Sequence, residues 1–244
     1  MWIKIQWNSA NSMKKRCPRG FTLLEILVAM VIFSVVMTLI FGTFSGVFSG
    51  ADHVTAGTSV FEMADACMGR ITADLQSMYV MQLPRYKIPD MDSEPDIYRV
   101  QSKNETMGGN TFARLRFSSL AHLPISGDNR EGIAEIVYYA EQVRDGADND
   151  TYVLKRADIL FPYPEKFEPK ESDPVMCEQV REFKLTFYDK DGREQNEWDS
   201  EDNDYEYCTP SAVKIEMKLG NEASSYQFTT GVALPMRRIV EPKR

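Results

Sequence analysis

The chain is 244 residues long, carries a formal net charge of −8, and has only two histidines and four cysteines. Allowing for a leader and an anchor, that length holds one domain large enough to bury a core. Lys4, Lys14, Lys15, Arg16 and Arg19 are the charged residues of 1–20, so the chain after Gly20 carries −8 less five, or −13, which argues against a nucleic-acid partner.

The chain opens with a weak leader, residues 1–12. Met13-Lys14-Lys15-Arg16-Cys17-Pro18-Arg19-Gly20 is a better one, and Met13 is the expected start. Then come Phe21-Thr22-Leu23-Leu24-Glu25 and an apolar run from Ile26 to Phe44, with no charge between Glu25 and Asp52. A bilayer core about 30 Å thick takes roughly 20 helical residues to cross. Phe21 to Phe44 supplies them. Glu25 sits near one end, where a carboxylate costs less than at mid-bilayer. The basic leader stays cytoplasmic and the chain after Ser45 goes outward. Two plainer readings compete. One is a secretory signal peptide cut at Ser49-Gly50-Ala51, although the apolar run is long for that and begins with an acid. The other is a single-pass anchor with an incidental glutamate. The first mature residue separates the three: Phe21, Asp52 or no cut.

The stretch Arg19-Gly20-Phe21-Thr22-Leu23-Leu24-Glu25 resembles the processing and assembly motif of type IV prepilins and type II secretion pseudopilins. The resemblance implies that prepilin peptidase cuts after Gly20, that Phe21 is then N-methylated, and that Glu25 guides filament assembly. The new α-amino group would be largely protonated at neutral pH. Paired with Glu25 of a neighbour in a low-dielectric setting, it would fix axial register.

Past the anchor, Gly42, Gly46 and Gly50 lie four apart. Such spacing lets membrane helices approach closely, and each glycine weakens a helix by about 1 kcal/mol. A loosened exit from the membrane fits equally. Val54, Gly57, Phe61, Ala64, Met68, Ile71, Leu75 and Met78 then form one helical stripe, with Glu62, Asp65, Arg70 and Asp74 on the other face. Pro84 ends the pattern. Anchor and stripe together predict a rod from Phe21 to about Met81, on the order of 90 Å long.

Residues 84–110 are rich in Pro, Asp, Ser, Asn and Gly and read as an irregular connector with one short strand at 97–100. Strands are predicted at Phe112–Ser118, Ile133–Ala140 and Tyr152–Arg156, the last two forming a hairpin around Asp145–Asp150. Four prolines keep Phe161–Pro174 out of a sheet. Val180–Tyr188 turns Phe183, Leu185 and Phe187 inward. Ala212–Leu219 alternates Val213, Ile215, Met217 and Leu219 against charged residues. Tyr226–Val232 follows a turn at Gly220-Asn221. The segment 237–244 is basic and expected to fray.

No catalytic constellation is present. His53 and His122 read as solvated loop residues, and Gly108-Gly109 as a turn, so an enzyme is not expected. Cys17 would leave with the leader. Cys177 and Cys208 flank sheet-like segments and are the candidate disulfide pair in an oxidising compartment. Cys67 falls on the buried helix face as a reduced core thiol. The spacing gives no zinc site. The acidic stretch from Asp189 to Asp204 reads as a solvated hairpin loop. Calcium held by Asp189, Asp191 and Asp199 is the alternative, without the spacing of an EF-hand. No other cofactor is implied.

Several stretches are similar to the J-type minor pseudopilin of type II secretion. They are Gly20–Ala29 with Phe33, the helix ending Arg70-Ile71-Thr72-Ala73-Asp74-Leu75-Gln76, the acidic loop around Trp198, Thr209-Pro210-Ser211-Ala212-Val213-Lys214-Ile215, and a last strand ending Leu234-Pro235. This implies an α+β pilin-like fold, a long N-terminal helix packed on antiparallel β-sheet. The implied organisation is a leader (1–20), a transmembrane helix (21–45), an amphipathic continuation (46–83), a periplasmic β-rich domain (84–236) and a basic tail (237–244). Implied partners are the I-type and K-type pseudopilins at a filament tip, the H-type and major pseudopilins, prepilin peptidase and inner-membrane lipid. A minor type IV pilin or DNA-uptake subunit is the alternative.

Overall fold

A computed structural model describes residues 22–89, 96–124, 130–145, 149–164, 166–221 and 224–240, with backbone alone for 43–58, 144, 145, 149 and 150. The chain divides into two compact units, Met1–Thr55 and Ala56–Arg244.

Helix α1 runs Leu23–Gln76. In the first unit its residues Leu23–Gly42 form a 20-residue segment long and apolar enough to cross a membrane, with none of it buried. In the second unit its face carries Ala64, Cys67, Met68, Ile71 and Leu75, all buried against the sheet. Val54 and Gly57 lie outside the residues whose side chains are described; from Phe61 onward the predicted stripe is present with two differences. Phe61 is 52% exposed, and Asp74, assigned from its charge to the solvent face, is 0% exposed. The helix also ends at Gln76, and Met78 and Tyr79 form a short strand instead of a further turn.

Eleven strands follow among the described residues. They are β1 (Met78–Tyr79), β2 (Gln101–Met107), β3 (Asn110–Ser119), β4 (Ala134–Asp145), β5 (Asn149–Leu160), β6 (Val175–Cys177), β7 (Val180–Tyr188), β8 (Glu194–Gln195), β9 (Trp198–Asp199), β10 (Ala212–Gly220) and β11 (Ser225–Ala233). A 3-10 turn spans Asn203–Tyr205. The main order is β11-β10-β7-β3-β4-β5-β6. β3 is the junction. Leu115 and Arg116 bridge β2 on one edge and β4 on the other, while Phe112 bridges β2 and β7. The Phe112–Phe183 link to β7 is parallel, so the sheet is mixed and not purely antiparallel as expected. The strands predicted from Phe112 onward are all present and most are longer, but the short strand expected at 97–100 is not: that stretch is a turn and irregular chain leading into β2. β2 was unexpected, because Gln-Ser-Lys-Asn-Glu-Thr-Met has no apolar alternation. It forms through a seven-residue antiparallel ladder with β3, which satisfies its backbone despite its polarity.

β4 is buried on both faces. Ile136 and Tyr138 enter the main core, while Val137 and Tyr139 form a second cluster with Ala157. The proline-rich segment after β5 covers that second face. Phe167 packs on Tyr139 with ring centroids 5.1 Å apart, and the Tyr139 hydroxyl donates to Asp173 at 2.8 Å. A chain that cannot join a sheet edge thus serves as its lid.

Candidate assembly site and its anchored domain

The assembly site begins at Thr22. Gly20 and Phe21, the expected processing residues, lie outside the described residues. The Glu25 carboxylate accepts the Thr22 backbone N–H at 3.0 Å and its hydroxyl at 3.1 Å, while Thr22 Oγ1 accepts the Glu25 N–H at 3.3 Å. This is a capping box, each side chain satisfying a backbone donor that the first helical turn leaves open. Its Thr-x-x-Glu signal was readable in the sequence. The acid therefore has a partner within its own chain and sits where the helix dipole favours negative charge. Beyond it, Ser34 and Thr38 donate their hydroxyls to the carbonyls of Met30 and Ser34 at 2.8 Å each, so these two polar side chains are satisfied within the helix.

In the second unit a buried polar network ties helix to sheet. Asp74 accepts from the Tyr138 hydroxyl at 2.6 Å and from Arg156 Nε at 2.7 Å, and pairs with Arg70 at 2.5 Å. Arg156 Nη1 donates to Asp158 at 2.7 Å and Nη2 to the Ala121 carbonyl at 3.1 Å. Asp158 also meets His122 Nδ1 at 2.5 Å and accepts the Leu123 N–H at 2.8 Å. His122 is therefore largely buried and paired, not a solvated loop residue; the side chain of His53 is outside the description. Burial works against the Arg156 charge, yet Asp74 and then Asp158 outweigh it and push the guanidinium above its ordinary value. Burial first, and then Asp74, push the Tyr138 hydroxyl up.

A second network holds the far end of the chain. Arg238 is 1% exposed. It donates to Asp96 at 2.7 Å, Glu201 at 2.7 Å, the Ser200 carbonyl at 2.6 Å and the Tyr207 carbonyl at 3.0 Å, and it lies 3.4 Å from the Tyr86 ring centroid. The expected fraying is thus corrected for residues 237–240. Trp198 anchors the acidic loop, buried against Tyr205 at 4.9 Å and Phe187 at 6.0 Å and donating Nε1–H to the Cys208 carbonyl at 3.1 Å.

The proposed calcium ligands do not converge. Asp189 Oδ1 accepts the N–H groups of Asp191 and Arg193 at 2.8 Å each, and Asp191 pairs with Arg193 at 3.3 Å. Asp199 sits in β9, bound to Gln101 at 2.8 Å and the Glu201 N–H at 3.0 Å. Among the described residues no three acids, histidines or cysteines gather as metal ligands. The Cys177–Cys208 pairing is also corrected. Cys67, Cys177 and Cys208 are all free and buried. Cys208 packs with Tyr86 and Val240, whereas Cys177 lies in the main core with Cys67.

An apolar span opening on a capped acid, joined to a domain sealed by internal networks, has the build of an anchored structural subunit. Residues 15–41 match the prokaryotic N-terminal methylation motif. Residues 42–229, well over half of the chain, match type II secretion system (T2SS) protein J. The chain belongs to the T2SS protein J family. It is a minor pseudopilin, a structural component of secretion and not an enzyme. Comparison of this pseudopilin with curated proteins finds no match. The two family segments abut at residues 41 and 42, near the end of the membrane-length segment.

Proposed function

We propose that this pseudopilin is cut after Gly20 by prepilin peptidase, methylated on Phe21, and drawn into a pseudopilus through Glu25. There it joins I-type and K-type partners at the tip, above the H-type and major pseudopilins, and primes the filament for export of folded proteins. The leader is cytoplasmic, the span crosses the inner membrane and the β-rich domain is periplasmic. One observation carries this reading: the methylation motif and the protein J match lie end to end and together account for residues 15–229. That arrangement favours secretion over the pilus or DNA-uptake alternative.

The test uses the full chain in cells. N-terminal sequencing of the membrane protein is expected to return Phe21, and the domain is expected to copurify with the I-type and K-type subunits. Glu25→Ala is expected to be processed normally yet to abolish export. Normal export by a processed Glu25→Ala variant would overturn the docking role.

A further inference from the structure

Two thiols lie in the apolar core of the second unit. Cys67 lies on the sheet-facing side of α1 and Cys177 ends β6; they are 0% and 1% exposed. Three observations place them together. Both belong to one apolar cluster. One turn before Cys67, Met63 Sδ accepts the backbone N–H of Glu178 at 3.3 Å. Residues four apart share a helix face, so the Cys177-Glu178 segment crosses the face that carries Cys67. Cys177 is also near enough to push the Cys67 thiol up.

We propose that Cys67 and Cys177 are oxidised to an intramolecular disulfide that ties α1 to the β5–β6 side of the sheet. This rests on the periplasmic placement proposed above, since that compartment is oxidising and the cytosol is not. The oxidant is a protein disulfide. One cysteine thiolate attacks it, forming a mixed disulfide and releasing one oxidant thiolate. The second cysteine thiolate then displaces the other oxidant sulfur. The substrate gains one S–S bond; its two electrons and two protons leave the oxidant as a dithiol. The neighbouring Cys177, and then burial, push the Cys67 thiol up. Exchange therefore runs before the core closes, while the thiolates are accessible. Cys208 is left out because it packs in a separate cluster with Tyr86 and Val240.

The test is thiol counting on full-length protein recovered from cells by acid quench, labelled in denaturant with a maleimide before and after reduction. After loss of the leader, one thiol, Cys208, is expected to label before reduction and three after it, with the Cys67 and Cys177 peptides joined. Reduction is expected to lower Tm on the order of 10 °C, as for a closed loop of about 100 residues. It should leave the Cys67→Ala/Cys177→Ala variant unshifted, and Cys208→Ala should behave as wild type. Protease digestion of spheroplasts, done on the same cells, reports the placement of the domain separately. Free Cys67 and Cys177 in a protease-accessible domain overturn the disulfide, as does a Cys177–Cys208 link. If the domain proves protease-protected, the placement fails, and the pair is judged by refolding purified chain in oxidised glutathione. Joined peptides then support the pair, and free thiols overturn it.

Discussion

The Arg156 guanidinium meets the Asp74 carboxylate at 2.7 Å with both side chains fully buried. One comes from the helix and the other from β5, so the pair fixes how α1 seats on the sheet. Removing one partner leaves the other underpaired in a buried site, since only Asp158 then holds Arg156 and only Arg70 holds Asp74 as counter-ion, and breaking a buried pair costs up to about 3–5 kcal/mol. Asp74→Ala and Arg156→Met are each expected to lower stability by up to that much. The Asp74→Leu/Arg156→Met double variant is expected to regain a large part of the loss, because apolar replacement of both members is often near neutral. Thermal unfolding of the detergent-purified chain measures all three. Strictly additive losses in the double variant would show that the two charges do not depend on each other.

Arg238 joins three parts of the chain that are far apart in sequence: Asp96 before β2, the Ser200 and Glu201 turn after β9, and Tyr207 before β10. Truncation after Arg237 strands Asp96 and Glu201 without their cation. A loss of roughly 3–5 kcal/mol is expected, by the same reasoning about stranded buried charge. Truncation after Val240 leaves the network whole and is expected to match wild type. Equal Tm values for the two truncations would mean that the tail carries no stability.

Gly220 ends β10 with φ +124°, and a Cβ there would lie 2.2 Å from the Ser224 carbonyl oxygen and 2.9 Å from Ser225 Cα. These are backbone atoms, which cannot swing aside as a flexible side chain would. The turn also relies on the Asn221 N–H donating to Ser224 O at 2.9 Å. Gly220→Ala is expected to cost at least about 1–3 kcal/mol of backbone strain, read as a lower Tm. Gly109, which has open space around its Cβ position despite φ +79°, is the milder comparison.

The strands whose apolar residues alternate were legible because a half-buried strand must repeat with period two. β10 is the clearest case, with Val213, Ile215, Met217 and Leu219 all buried. β2 was not legible, because it is held by ladder hydrogen bonds with β3 and by polar contacts such as Gln101 with Asp199, neither of which leaves an apolar alternation to read. Asp74 and Arg238 were misjudged for a related reason. A charge alone reads as solvent-facing, and only the fold reveals that partners from distant segments meet it. His122 misled in the same way, its partner Asp158 lying 36 residues away. At the N-terminus the reverse holds. The partner of Glu25 is three residues away, and the Thr-x-x-Glu pattern discloses it.

That local pairing lets the two roles of Glu25 be separated. As an N3 residue it caps the Thr22 N–H; as a carboxylate it would meet the charged end of a neighbour. Glu25→Gln retains an oxygen able to cap the Thr22 N–H but removes the charge. Thr22→Ala keeps the charge and removes the hydroxyl cap, at a cost of about 0.5–2 kcal/mol to the helix start. If docking depends on charge, Glu25→Gln is expected to lose export as fully as Glu25→Ala, while Thr22→Ala keeps most of it. Processing in each variant is checked by sequencing the mature N-terminus, so that a failure to be cut is not mistaken for a failure to dock. Full export by Glu25→Gln with loss in Thr22→Ala would reassign the acid to holding the first helical turn, and register would then have to come from another part of the span.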